Sequence, residues 1–235
     1  MAEETDIRVN FGKPIPLFPI GGMVMLPQQV VPLHIFEPRY RQMMSDVLDA
    51  AGQIAMAVFD GSGWQADYEG RPPLRPSVCV GQIMQHEKLA DGRYNMILQG
   101  VCRARIVEEL PESPTRQYRE AMLEPVEREP TDEGLLLHHR EWLEAELGEG
   151  DLSRLSASED LLEYVRNEDV PTSILMELLS FTLLDDSELR YSLLAEPDAA
   201  QRALLVRDDL ERLSMTIRLA DRQASGDWPK GMSWN

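Results

Sequence analysis

The sequence is short of several features that mark common protein classes. It has two cysteines and three lysines in 235 residues, and no run of about 18 apolar residues that could cross a bilayer. The spacing of Cys79 and Cys102 does not suggest a zinc site, so we expect buried thiols in a reducing compartment. The first residues lack the charged-then-apolar layout of a signal peptide. These absences favour a cytoplasmic protein without a membrane segment.

Positive charge is also scarce, and the formal net charge is −18. Residues 1–130 carry 13 basic and 18 acidic side chains, whereas residues 131–235 carry 10 and 23. Such a surface repels phosphate backbones and anionic membranes. The overall charge therefore disfavours nucleic acid as a partner, and a local basic patch is the alternative that this charge balance still allows.

Motifs that carry chemistry are missing as well. A phosphate-cradling Gly-x-x-x-x-Gly-Lys loop is absent, because Gly12-Lys13 is the one Gly-Lys pair and Ile7 occupies the earlier glycine position. The three lysines, Lys13, Lys88 and Lys230, do not lie in the apolar helical setting that a Ser-Lys dyad needs. We expect no enzyme activity, no metal and no cofactor, and an unrecognised hydrolase is the least favoured hypothesis.

The stretch from Pro14 to Leu48 organises the rest of the chain. Its first three prolines hold the segment extended, residues 30–36 form an apolar run of strand length, and Glu37-Pro38 opens a helix. The helix has one apolar face, formed by Tyr40, Met43, Met44, Val47 and Leu48.

The residues that follow predict more strands. The predicted strands are 54–59, 78–88, 93–99, 102–106 and 118–123, with a hairpin at Asp91-Gly92, a break at Gly100 and a long loop over 60–76. About six short strands with one crossover helix fit a small closed or partly closed barrel.

A change from period two to helical periodicity near residues 127–132 indicates a boundary between subdomains. Helices are predicted around Leu135–Leu147 and Leu161–Val165, and after Pro171, Asp186 and Pro197. We therefore predict an α+β protein with a β subdomain over 14–126 and an α-helical bundle over 131–220, flanked by flexible tails at 1–13 and 223–235.

Two signatures carry a resemblance to a known family. Leu17-Phe18-Pro19, Leu26-Pro27 and the run from Pro32 to Tyr40 resemble the opening of the amino-terminal domain of Lon-type ATP-dependent proteases, in particular short bacterial proteins made of that domain alone. The run Asp91–Val101 with Arg103–Ile106 is similar to the family's second signature, and the helical part from about Leu135 to Leu213 fits in kind.

This resemblance implies a PUA-like pseudo-barrel followed by a helical bundle, and a role in substrate recognition in proteolysis and protein quality control. The implied partners are unfolded or hydrophobic polypeptide segments, together with a separate protease or chaperone for which the protein could be an adaptor. Full-length Lon adds an ATPase and a Ser-Lys protease, and this sequence matches neither.

A polypeptide-binding surface is the first functional hypothesis. Six residues near the first signature are its candidates: Phe18, Met23, Met25, Leu26, Phe36 and Tyr40. The sequence has twelve methionines, concentrated in the first half, and methionine gives adaptable apolar surface for varied partners. Core packing accounts for most of them.

Other polar residues of the signature have structural explanations. We expect His34 to be a hydrogen-bonded structural histidine rather than a ligand or catalyst, and Glu37 with Arg39 to clamp the turn into the helix. In the pair His138-His139, the second residue is expected to face the core.

An RNA-binding PUA-like module is the alternative hypothesis. Arg93, Arg103 and Arg105 could form a small basic patch on the strands. Solvated strand positions explain the same arginines without a ligand.

Overall fold

The computed structural model of the protein describes residues 7–68, 70–127 and 131–224. These residues form six strands and six α-helices, which confirms the predicted α+β class. They divide into two compact units. The first comprises residues 7–127 and 181–197, and the second comprises residues 131–180 and 198–224. The segment 181–197, which the sequence analysis placed in the helical subdomain, therefore belongs to the first unit.

The first unit is built on one mixed sheet. Its strands are β1 (Ile15–Pro19), β2 (Val30–Ile35), β3 (Gln53–Ala57), β4 (Ser77–Lys88), β5 (Tyr94–Glu109) and β6 (Arg119–Pro125). Their order is β2-β5-β4-β3-β1-β6, and β1 and β3 are parallel while the other pairs are antiparallel. Because β6 also pairs with the second half of β5, the sheet curls back on itself in a ring of pairings, β5-β4-β3-β1-β6, to which β2 is added at one edge. Among the described strands, β2 pairs with β5 alone.

Small and branched side chains fill the interior of this curled sheet. The buried cluster contains Ile15, Leu17, Ala55, Ala57, Val78, Val80, Ala104, Ala121 and Leu123. Val9 and Phe11 pack against it from the described part of the predicted leader, and the carbonyl of Arg8 accepts a hydrogen bond from the side chain of Gln53. Residues 7–13 thus contact the sheet. The rest of the predicted leader, and the predicted tail beyond residue 224, lie outside the described residues.

The predicted crossover helix connects β2 to β3. Helix α1 spans Pro38–Leu48 and has a proline in its first turn, where the missing N–H costs no hydrogen bond. Its inward face is the predicted one, with Tyr40, Met43, Met44 and Val47 buried. The helix packs against β1, where the Tyr40 ring contacts Phe18.

The predicted break at Gly100 is wrong, because β5 runs through it. A Cβ on Gly100 would lie 2.3 Å from the carbonyl oxygen of Leu26. The Gly100 carbonyl accepts from the N–H of Gln28 (2.9 Å), and the Gly100 N–H donates to the carbonyl of Gln29 (2.8 Å). Glycine at this position therefore lets the 26–29 loop approach the strand, as glycine does wherever two backbones come close.

Helices make up most of the remaining structure. In the second unit they are α2 (Leu137–Gly148), α3 (Ser158–Arg166), α4 (Thr172–Thr182) up to Ser180, and α6 (Ala199–Ala224), while α5 (Ser187–Ala195) belongs to the first unit. The N–H of Ser77 on β4 donates to the hydroxyl of Tyr191 (2.9 Å), which attaches α5 to the sheet. No helix within 7–68, 70–127 or 131–224 combines the length and the apolar character needed to cross a bilayer.

Candidate binding groove

A groove of about 510 Å³ opens on the first unit. The ends of β1 and β2, the first turn of α1 and the 3₁₀ turn Trp64–Asp67 border it. Its lining is mostly aromatic and aliphatic: Phe18, Ile20, Gly21, Leu33, His34, Ile35, Phe36, Glu37, Tyr40, Trp64, Gln65 and Tyr68. A concave, mostly apolar surface with few polar groups is typical of a binding site.

One wall of the groove is an aromatic stack on the loop between β3 and β4. The Trp64 ring lies flat on Phe59, with centroids 4.5 Å apart and an 8° interplanar angle, and Tyr68 lies 5.9 Å from Trp64. The base of this loop is tied by two backbone hydrogen bonds, from Asp60 N–H to the Pro73 carbonyl and from Arg75 N–H to the Val58 carbonyl. The long loop therefore has a defined conformation at its base and an aromatic cluster of its own.

Trp64 also packs against the turn that follows β1. A Cβ added to Gly21 would lie 2.2 Å from the Trp64 ring, so this position accepts no side chain while the ring stays in place. Because Gly21 has no side chain, Trp64 on the loop can lie directly against the turn that follows β1.

The floor of the groove is apolar and uncharged. Phe18 and Tyr40 meet edge to face with centroids 4.6 Å apart, and they are only 5% and 4% exposed. Burial raises the pKa of Tyr40 well above its ordinary value, so its phenol is neutral at physiological pH. An apolar ligand would therefore meet no ionised group on the floor.

A polar clamp closes one end of the groove. Tyr68 donates its hydroxyl hydrogen to Glu37 Oε1 (2.6 Å), and Arg39 Nε donates to Glu37 Oε2 (3.0 Å). The Arg39 guanidinium also lies over the rings of Tyr40 and Tyr68, 4.7 Å from each centroid, and donates to the Tyr68 carbonyl. Burial and the hydrogen bond to Glu37 raise the pKa of Tyr68. Both oxygens of Glu37, the one carboxylate among the described lining residues, are thus occupied.

Three of the six predicted polypeptide-binding residues line the groove, and the other three do not. Phe18, Phe36 and Tyr40 line the groove, and the Phe36 side chain is 60% exposed. Met25 and Leu26 are 1% and 0% exposed, so they are core residues and not available to a partner. Met23 is half-buried and lies outside the groove lining.

The signature histidine is held by hydrogen bonds. His34 Nδ1 lies 2.7 Å from Asn95 Oδ1 on the neighbouring strand, and Nε2 lies 3.2 Å from Arg93 Nη1. Arg93 in turn donates to Asp91 at the hairpin. These contacts fix the orientation of the ring beside the groove.

Sequence reasoning missed Trp64 and Tyr68, which supply the loop wall. A usable signal was present, because the loop 60–76 is unusually long and carries two aromatic side chains. Strand and helix periodicity gives no information on where such a loop folds.

The three arginines of the RNA hypothesis do not come together, which corrects that expectation. Arg103 is 2% exposed, and its guanidinium donates to the carbonyl of Leu193 (2.8 Å) and to Glu127 (3.1 Å). Arg93 and Arg105 lie near opposite ends of β5. A surface patch made of all three is therefore not present.

The remaining candidates for chemistry have structural roles. Cys79 lies opposite Arg103 and Cys102 lies opposite Val80 in the β4–β5 ladder, so the two thiols point to opposite faces of the sheet. Burial raises the pKa of Cys102 to about 11, which keeps it a protonated thiol. In the part of the chain that the structure describes, no three His, Cys, Asp or Glu side chains are grouped as metal ligands.

Comparison with known proteins identifies relatives over most of the chain. The sequence model of the ATP-dependent protease La (LON) substrate-binding domain matches residues 14–212. The Lon protease of Trichlorobacter lovleyi is 30% identical over 214 residues, which cover 89% of this chain and 25% of that protein. Lon protease 2 of Syntrophobacter fumaroxidans is 25% identical over 217 residues, 89% of this chain and 26% of that protein. The chain thus spans about a quarter of the length of these curated relatives.

Two solved structures have a similar fold at low sequence identity. The N-terminal domain of the Mycobacterium avium complex Lon protease is 20% identical with a TM-score of 0.61, and the alignment covers 83% of this chain and 97% of that one. A Lon N-terminal domain protein from Xanthomonas campestris is 20% identical with a TM-score of 0.53, covering 86% and 96%. These likenesses, and the sequence model, confirm the resemblance and the fold that it implied.

Proposed function

Because the chain belongs to the ATP-dependent protease La (LON) substrate-binding domain family, we propose that it is a non-catalytic module that captures exposed hydrophobic or unfolded polypeptide segments. The groove bounded by Phe18, Phe36, Tyr40 and Trp64 is the observation that supports this proposal most strongly. The matched family model is described as a substrate-binding domain, and an apolar groove on the first unit supports binding at that position.

The groove suits a hydrophobic chain for energetic reasons. Burying one large apolar side chain contributes about 1.5–3 kcal/mol, and the groove has room for more than one such group. Phe36, at 60% exposed, is a large aromatic side chain that a partner would cover. The clamp of Glu37, Arg39 and Tyr68 keeps the neighbouring charge satisfied, so capture needs no desolvated ion.

The wider role that we propose is in protein quality control in the cytoplasm. A module of this kind would act as an adaptor that delivers captured segments to a separate protease or chaperone. Both relatives named above are Lon proteases, and the chain matches about a quarter of their length, which supports a role in recognition.

Binding to a permanently unfolded protein tests the proposal. Reduced, carboxymethylated α-lactalbumin can be titrated by calorimetry into the wild-type protein and into Phe36→Ser. We expect wild-type binding that changes little with salt, and binding at least about tenfold weaker for Phe36→Ser, as the loss of one buried aromatic contact implies.

Val107→Ser provides the matched control. Val107 is 61% exposed, much like Phe36, but it lies on β5 outside the groove lining. Equal weakening by both substitutions, or no binding by the wild-type protein at high micromolar concentration, would remove the proposal.

A further inference from the structure

The outer edge of β2 is open. In the sheet order, β2 stands at one end and pairs with β5 alone among the described strands, whereas β6 at the other end also pairs with β5. An open strand edge presents N–H and C=O groups that can pair with another extended chain. The chemistry of this edge depends on which of its residues face outward.

The β2–β5 register identifies the outward-facing residues. Directly opposed residues of an antiparallel pair alternate between those that exchange hydrogen bonds and those that do not. Gly100 exchanges bonds with the chain at Gln28 and Gln29, just before β2. Applying this alternation along β2 from Gln29 assigns hydrogen bonds with β5 to every second residue. The bonded pairs are Val31–Leu98, Leu33–Met96 and Ile35–Tyr94, and the residues between them do not bond to β5.

Val30, Pro32 and His34 therefore direct their backbone groups away from β5. Pro32 fits this assignment because it has no N–H to give to a ladder. The open edge offers the N–H and C=O of Val30 and of His34, and the C=O of Pro32. Among these residues, His34 lies nearest the groove and offers both a backbone N–H and a backbone C=O.

The groove runs along this same edge. Four consecutive residues, Leu33 to Phe36, line it, although neighbouring side chains of a strand point to opposite faces. A pocket on one face of the sheet would be lined by alternate residues only. None of the β5 residues 94–99 lines the groove, so it lies on the side of β2 away from β5.

We infer that the groove binds its polypeptide as an additional β-strand on the outer edge of β2. The occupant is an extended segment whose backbone pairs with His34 and Pro32 and whose alternate apolar side chains enter the groove against Phe36, Tyr40 and Trp64. Basic residues flanking the segment complement the net charge of −18. This inference rests on the proposed function, and it explains how recognition would tolerate many sequences, since backbone hydrogen bonds supply affinity independently of side chains.

Backbone methylation of a peptide tests strand addition directly. The probe is a labelled ten-residue peptide with Phe, Leu and Val at alternate positions and Lys at both ends, made unmodified and in two N-methylated forms. One form carries methyl groups on the odd-numbered backbone nitrogens of the central residues, and the other on the even-numbered ones. Because alternate N–H groups of a strand point to opposite edges, only one form loses the hydrogens that face β2.

We expect one methylated form to bind about tenfold more weakly than the unmodified probe and the other to bind within about threefold of it. Equal affinity of the two forms would overturn strand addition. A different result separates the two proposals. If the unmodified probe binds, Phe36→Ser weakens that binding and the two methylated forms bind equally well, then the proposed function stands and strand addition fails. If Phe36→Ser leaves probe binding unchanged, the proposed function fails.

Substitutions on β2 give an independent readout. His34→Pro and His34→Ala both remove the imidazole, but His34→Pro also removes the outward N–H, so we expect the proline variant to bind the probe about fivefold to tenfold more weakly than the alanine variant. Pro32→Ala adds an outward N–H and should strengthen binding. Equal affinity of the two His34 variants, together with no gain from Pro32→Ala, contradicts the inference. Circular dichroism checks that each variant is folded. If His34→Pro does not fold, Pro32→Ala alone still tests the inference.

Discussion

At the residue scale, the contact between Gly21 and Trp64 sets the width of the groove. The Trp64 ring stacks on Phe59, and it also lies against Gly21, which has no side chain. Both contacts are made by a loop whose base is tied by backbone hydrogen bonds. The wall is therefore preformed, which lowers the entropy cost of binding a flexible partner.

Gly21→Ala should displace Trp64 and weaken binding of the unfolded protein. The added Cβ would meet the ring at 2.2 Å, so the ring must move away from Gly21. We expect a change in tryptophan fluorescence and a severalfold loss of affinity by calorimetry. Gly63→Ala is the matched control, because Gly63 precedes Trp64, has a φ of −94° and has no atom within 4 Å of an added Cβ. Equal effects of the two substitutions would contradict this account of the wall.

Part of the site could be predicted from the sequence, and there is a physical reason why some residues were predicted and others were not. Phe18, Phe36 and Tyr40 follow from the signature around the strand and helix. The same signature predicts Met25 at the binding surface, but its side chain is only 1% exposed and belongs to the core. Trp64 is missing from the prediction because its position depends on a loop that no periodicity describes.

At the element scale, β5 joins three parts of the first unit. It pairs with β2, β4 and β6, and its length allows the sheet to curl back on itself. Gly100 lies within it where the 26–29 loop crosses. A glycine in the middle of a strand pattern predicts a break in the strand. In the structure, Gly100 instead allows two backbones to approach closely.

Gly100→Ala should strongly destabilise the first unit. Its Cβ would lie 2.3 Å from a backbone carbonyl, which cannot move as a flexible side chain can. We expect a loss of about 2 kcal/mol or more in the free energy of unfolding, measured by urea denaturation. Gly148→Ala near the end of α2 is the comparison, since its Cβ would meet only Leu162 at 4.0 Å and should be neutral or stabilising. A stable Gly100→Ala protein would show that this approach is not required.

Helix α2 should make the stability of the second unit depend on pH. His139 is 1% exposed, and its Nδ1 has no hydrogen-bond partner among the described residues. Burial, then the neighbouring His138 and Arg207, lower the pKa of His139. The unfolded chain therefore binds the proton more readily than the folded one, so stability should fall as the pH drops below about 6.5.

His139→Leu tests this origin of the pH dependence. Urea midpoints for helix loss, followed by circular dichroism between about pH 5.5 and 7.5, should decrease with acid in the wild-type protein and change less in the variant. The same slope in both proteins would assign the pH dependence to other groups.

At the scale of the whole molecule, the acidic net charge predicts which partners the surface disfavours. The net charge is −18, and Arg103, one of three candidates for a basic patch, is buried in a hydrogen-bonded setting. The sequence predicted the α+β class and most element positions correctly, because strand and helix periods are local signals. It could not predict that residues 181–197 join the first unit, since that depends on long-range contacts such as the hydrogen bond from Ser77 to Tyr191.

A labelled single-stranded RNA should show no binding at physiological salt. The acidic surface repels phosphates that come within a Debye length, which is about 8 Å at physiological salt, and such a surface gives no counterion release to favour binding. Fluorescence anisotropy measures the interaction. Affinity that rises steeply as salt is lowered, and that is lost in Arg105→Ala, would contradict this expectation and restore the RNA hypothesis.

The most direct measurement of the central claim is site-specific photocrosslinking from the groove. Benzoylphenylalanine replaces exposed Gln65 in the groove lining or, as the comparison, exposed Val107 outside it, and each protein is irradiated with labelled carboxymethylated α-lactalbumin. We expect strong crosslinks from position 65, competed by excess unlabelled unfolded protein, and background crosslinks from position 107. Equal crosslinking from both positions, or crosslinking from position 107 alone, would show that polypeptide is not captured in this groove.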